Sequence, residues 1–169
     1  MCLQCDGYTY EEAMQELDLR IRVHGWALQY ITDDNGRVRW SYTIGLVEHY
    51  GHPELTMLGV KAETQDRVIR SLVDGIVQHG EVSPITATAG GLEIVEVLPQ
   101  YLRSDLFGTW GNRYGFQPPP GTFQQVLLPP SAFCPCHADA QFRLDRPGVL
   151  PPPYAPERRP NRAERRRRR

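Results

Sequence analysis

Residues 62–79 carry a single apolar stripe. Val68, Ile69, Leu72, Val73, Ile76 and Val77 recur at helical spacing, and Gly80 follows as a natural stop. A helix with one apolar face must lie on an apolar surface. The rest of the chain offers mainly strands to receive it. Trp26 to Thr32 reads as a strand, and Asp33-Asp34-Asn35-Gly36 as a hairpin turn. Arg37 to Leu46 reads as the returning strand, with Val38, Trp40, Tyr42 and Ile44 alternating onto one face. Glu54 to Val60 reads as a third strand, residues 82–88 and 92–98 as two more about Gly90-Gly91, and Phe123 to Leu128 as the last. A second main helix starts at Thr9, where Thr9 and Glu12 form a capping box, and continues through Met14, Leu17 and Ile21 to Gly25. Val47 to Pro53 is expected as a polar loop, and residues 99–116 as irregular chain with at most one short helix. Helices and strands mix without strict alternation. The expected class is α+β, with a mostly antiparallel sheet and two main helices.

The 169 residues suffice for one domain with a real core. Residues 1–145 are expected to form it. Residues 146–169, rich in proline and then arginine, are expected as a disordered tail. No apolar run approaches the roughly 18 residues of a membrane span. The N-terminus lacks the basic and apolar run of a secretory signal. The expected location is cytoplasmic, with reduced thiols.

Charge is divided unevenly. Residues 157–169 hold eight arginines (Arg158, Arg159, Arg162, Arg165, Arg166, Arg167, Arg168 and Arg169) and two glutamates, a net of +6. The overall net is -1, so residues 1–156 carry -7. An arginine run of this kind contacts phosphate backbones by releasing counterions, and nothing in it prefers RNA to DNA. Equally, it can contact an acidic protein, including the body of its own fold.

The four cysteines come as two close pairs, Cys2/Cys5 and Cys134/Cys136, with His137 beside the second. Two thiol pairs are what a closed tetrahedral zinc site needs, with His137 as a substitute ligand. Such a clip would join the two ends of the domain and would be structural. The other readings are free thiols, or a redox pair at Cys2 and Cys5 ahead of the first helix.

Glu48, His49, His52 and Glu54 lie within seven residues. Imidazole beside carboxylate suits general acid–base work or a divalent metal. His52, Glu54 and His24 are therefore the candidate catalytic residues, and a hydrolase is the corresponding alternative function. The competing reading gives these residues to the frame: His52 and Glu54 bonded to loop backbone, and His24 interacting with the dipole at a helix end stopped by Gly25. Trp110, Asn112, Arg113, Tyr114 and Phe116, among Gly108, Gly111 and Gly115, either stack on a ligand or pack over the sheet. No P-loop, dinucleotide fingerprint or G-x-S-x-G motif is present.

Several motifs occur together: Cys2-Leu3-Gln4-Cys5-Asp6, His24-Gly25-Trp26, Ser41-Tyr42-Thr43-Ile44-Gly45-Leu46 and Gly51-His52-Pro53-Glu54-Leu55. With these, residues 1–130 resemble the bacterial family called domain of unknown function 4262. The resemblance implies a fold boundary and no reaction, since that family has no established activity. It also implies a Gln-containing final strand, matched here by Gln124-Gln125-Val126-Leu127-Leu128. The Cys134-Pro135-Cys136-His137 segment departs from the family's ending, so the zinc reading rests on this chain's own residues. The function expected is that of a small binding or regulatory protein with a nucleic-acid-contacting tail.

Overall fold

A computed structural model describes residues 8–33, 38–81, 91–132 and 141–148. Five strands form one sheet: β1 (Ala27–Thr32), β2 (Val38–Ile44), β3 (Glu54–Leu58), β4 (Glu93–Glu96) and β5 (Phe123–Leu127). Their spatial order is β1-β2-β3-β5-β4. Only the β3–β5 pair is parallel, and the other three are antiparallel. The helices are α1 (Tyr10–His24), α2 (Leu46–Tyr50), α3 (Ala62–His79), α4 (Pro99–Leu102) and α5 (Gly108–Tyr114), with a 3-10 turn at Asp105–Phe107. The fold is α+β.

The two faces of the sheet carry separate cores. Trp40, Tyr42 and Ile44 of β2 and Phe123 of β5 point to one face. There they meet Leu17 and Ile21 of α1 and Tyr101, Leu106, Phe107 and Trp110 from the α4–α5 region. Leu55 and Met57 of β3 and Val126 of β5 point the other way, against Ile69, Leu72, Val73 and Ile76 of α3. This is the period of two in the strands and the 3.6 spacing of α3 acting together. Each such side chain, fully withdrawn from water, contributes roughly 1.5–3 kcal/mol.

The structure departs from the sequence reading in three places. Val47 to Pro53 is not all loop, because Leu46–Tyr50 form the short helix α2. Residues 99–116 hold two helices and a 3-10 turn, fixed by packing rather than by helix propensity: Trp110 is buried, 4.4 Å from the Tyr114 ring. The third strand ends at Leu58, and Gly59 turns with positive φ. The second strand of the pair read about Gly90-Gly91 is β4; residues 82–88, and most of the Asp33–Gly36 turn, lie outside the described residues.

Residues 141–148 run back along the sheet and are tied to it by side chains. The Gln125 amide donates to Phe142 O (2.7 Å) and its oxygen accepts from Leu144 N (2.6 Å). The Tyr101 hydroxyl donates to the carbonyls of Arg146 and Gly148, and Arg143 pairs with Glu93 and Asp145. Among the described residues, no helix is long and apolar enough to cross a membrane.

Candidate functional site

Strand β2 delivers Ile44 to Gly45, whose φ of 111° turns the chain into α2. Only glycine suits that turn. A Cβ there would lie 2.6 Å from Gly25 O, and one on Gly25 would lie 2.6 Å from the Tyr50 hydroxyl. Tyr50 itself donates to His24 O at 2.9 Å. The His24-Gly25-Trp26 and Ile44-Gly45-Leu46 motifs therefore meet as one close backbone crossing, clasped by Tyr50.

Glu54 opens β3 directly beneath this crossing and is 0% exposed. Its carboxylate accepts from the Thr43 hydroxyl (2.7 Å) and from the backbone amides of Gly45 (2.8 Å), Leu46 (3.3 Å) and Val47 (3.4 Å). The first amides of α2 lack intrahelical partners, so Glu54 caps that helix from another element. Thr43 in turn accepts from Leu55 N at 2.9 Å. Burial pushes the Glu54 carboxyl up, and the Thr43 hydroxyl and the three amides work against that by favouring the charge.

His52 is half-buried, with Nδ1 2.7 Å from Pro53 O; that contact makes Nδ1 the donor. His49 is exposed, 3.8 Å from Glu48. His24 ends α1, and Gly25 N returns to Ile21 O at 2.7 Å. Its side chain faces a different place, a cleft of about 540 Å³ between α1 and α3, shared with Arg20, Trp26, Leu28, Tyr30, Arg70, Asp74 and Val77. Neither His52 nor Glu54 lines that cleft. Thus the structure gathers Glu54 with backbone amides, His52 with its own neighbour's carbonyl, and His24 with two arginines. Among the described residues, no group of three or more His, Cys, Asp or Glu side chains is placed to hold a metal ion.

Glu48 enters a network that residue spacing does not reveal. Arg113 of α5 donates to Glu48 (2.7 Å) and to Asp18 of α1 (2.9 Å), and the Tyr114 hydroxyl donates to Glu48 at 3.0 Å. Partial burial works to raise the Glu48 carboxyl, but hydrogen bonds from Arg113 and Tyr114 outweigh it and hold the group below its ordinary value. Arg113 also lies 4.7 Å over the Tyr114 ring. The aromatic, glycine-rich stretch thus packs over the sheet and pins α1 to α2. In the cleft, the Arg70 guanidinium sits 5.7 Å over Trp26, and the Tyr30 hydroxyl donates to Asp66. Burial, with Asp66 beside it, pushes the Tyr30 hydroxyl up to about 12.

Cys2, Cys5, Cys134, Cys136, His137 and the arginines from 158 to 169 lie outside the described residues. The model of a family described as Domain of unknown function (DUF4262) matches residues 20–132. The match takes in the Gly25–Gly45 crossing and Glu54, and leaves both cysteine pairs and the arginine run outside it. No curated protein and no solved structure matches.

Proposed function

The chain belongs to the DUF4262 family, and from that premise we propose that it is a small cytosolic binding protein whose arginine run contacts nucleic acid. The observation that carries this reading is the charge division, +6 on residues 157–169 against -7 on residues 1–156. A run of that density attracts phosphate backbones with little demand on sequence. The acidic body keeps polyanions off the domain and leaves the arginines as the point of attachment. The binding reading gains over a hydrolase because Glu54, the candidate catalytic carboxylate, is fully buried with its oxygens engaged by Thr43 and α2 amides. A general base must reach the proton it removes.

The test is salt-dependent binding of fluorescent single- and double-stranded oligonucleotides to the full chain. A full-length variant with the eight arginines changed to glutamine serves as the control. The expected slope of log affinity against log salt is roughly -4 to -7, collapsing towards zero in the variant. Equal binding by the two chains would remove the proposal. Binding only to an acidic protein would replace nucleic acid as the partner.

The proposal includes a zinc ion held by Cys2, Cys5, Cys134 and Cys136, with His137 in reserve. It would fasten the start of the domain to its end without taking part in a reaction. Elemental analysis of freshly purified protein should then find about one zinc per chain, lost in a Cys134→Ser/Cys136→Ser variant together with a fall in Tm. Zinc retained in that variant would assign the metal to other residues.

A further inference from the structure

The cleft between α1 and α3 has an apolar floor. Trp26, Leu28 and Tyr30 are spaced by two, so in an extended chain they turn to the same side. All three are half-buried and line the cleft, and Trp26 and Leu28 rest on the α3 core. Its volume, about 540 Å³, falls within the range of small-molecule sites.

The walls add charge. Arg20 and His24 come from the last turns of α1, and Arg70 and Asp74 from α3. With His24 counted neutral, two arginines against Asp74 leave the lining with one excess positive charge. Arg70 is fixed before any ligand arrives. Its guanidinium lies 5.7 Å over the Trp26 ring, and its Nε donates to Asp66 Oδ1 at 2.8 Å. The same oxygen accepts from the Tyr30 hydroxyl, which ties Arg70 to the floor. Arg20 is held likewise, with Nε donating to Glu16 at 2.8 Å. Asp66 and Glu16 stand outside the lining and meet the guanidinium groups at Nε alone, so neither occupies the fork of terminal amino groups. That fork is the part of arginine that matches a carboxylate with two parallel hydrogen bonds.

We propose that this cleft binds a small organic monoanion, a carboxylate carried on a flat apolar body. The carboxylate meets the Arg70 fork, with Arg20 and His24 supplying further donors. The apolar body lies along Trp26, Leu28 and Tyr30. One negative charge answers the one excess positive charge of the lining, and Asp74 disfavours a dianion such as a phosphate monoester. Because Asp66, Tyr30 and Trp26 already hold Arg70 in place, little ordering remains to be done on binding.

Calorimetric titration of the full chain with 2-naphthoate tests the inference, with 2-naphthalenemethanol as the neutral probe of similar shape and acetate as the anion without the body. The expected result is one site per chain with a dissociation constant of about 0.1–1 mM, and no saturable binding of either control. The chain with its eight C-terminal arginines changed to glutamine should bind 2-naphthoate as the parent does, which separates the cleft from the arginine run. Arg70→Gln should weaken binding roughly fivefold or more with unchanged circular dichroism, since the pair it loses is exposed. Asp74→Asn should tighten binding, by about two- to fivefold, because it removes the one negative charge of the lining. Absence of saturable binding overturns the inference, whether residues outside the described ones fill the cleft or no ligand of this class fits it. Equal binding of the neutral probe overturns it, as does loss of binding in the eight-arginine variant. A dissociation constant that neither Arg70→Gln nor Asp74→Asn alters places the probe elsewhere and overturns it too.

Discussion

Glu54 shows how one carboxylate can hold several chain segments together. It closes the turn out of β2, caps α2 from outside, and sits beneath the Gly25–Gly45 crossing. Changing it to glutamine puts an amide NH2 where at least one buried N–H needs an acceptor. Glu54→Gln should therefore cost about 3 kcal/mol of unfolding free energy, measured by denaturant titration. A variant as stable as the parent would mean that the amides find other partners. The sequence places Glu54 near two histidines, and that adjacency reads equally as chemistry or as frame. The partners that distinguish the two, the amides of Gly45 to Val47, are set by a helix of only five residues. Such a helix is too short to display an apolar period.

Elements were legible in proportion to the local signals they carry. Helix α3 is bounded at Ala62 and His79 as the stripe and Gly80 predict, and α1 begins with the reciprocal Thr9–Glu12 bonds. Helices α4 and α5 had no such signal. Gly108 and Gly111 weaken helix propensity, and burial of Trp110 among Tyr114, Phe116 and Phe123 supplies what propensity does not. The segment 141–148 is likewise a tertiary fact, fixed by Gln125, Tyr101 and the Arg143 pairs. Hydrogen bonds from Arg143 hold the carboxyls of Glu93 and Asp145 below their ordinary values of 4.5 and 3.8. A folded value below the unfolded one stabilises the fold above the ordinary value, and that stabilisation is lost as pH falls through the folded value. The midpoint difference between the parent and Arg143→Gln should therefore be present at neutral pH and vanish on acidification below about 4. A difference independent of pH would assign the effect of Arg143 to packing alone.

At the scale of the whole molecule, the proposal gives nucleic-acid contact to the arginine run and none to the domain. The described residues form a closed, two-faced α+β body whose candidate acid–base groups are largely committed to its frame. The arginine run is visible in the sequence as plain charge, and no fold is needed to see it. The strand order, with β1 and β4 outermost, is visible only in the structure. The central claim is that nucleic acid is met by the run and not by the domain. Cross-linking of the full chain to a photoreactive oligonucleotide, with the attachment sites located by mass spectrometry, tests it most directly. The account predicts cross-links confined to residues 157–169. Cross-links at Trp26, Tyr30 or the Glu48–Glu54 segment would contradict it and place the site on the folded domain.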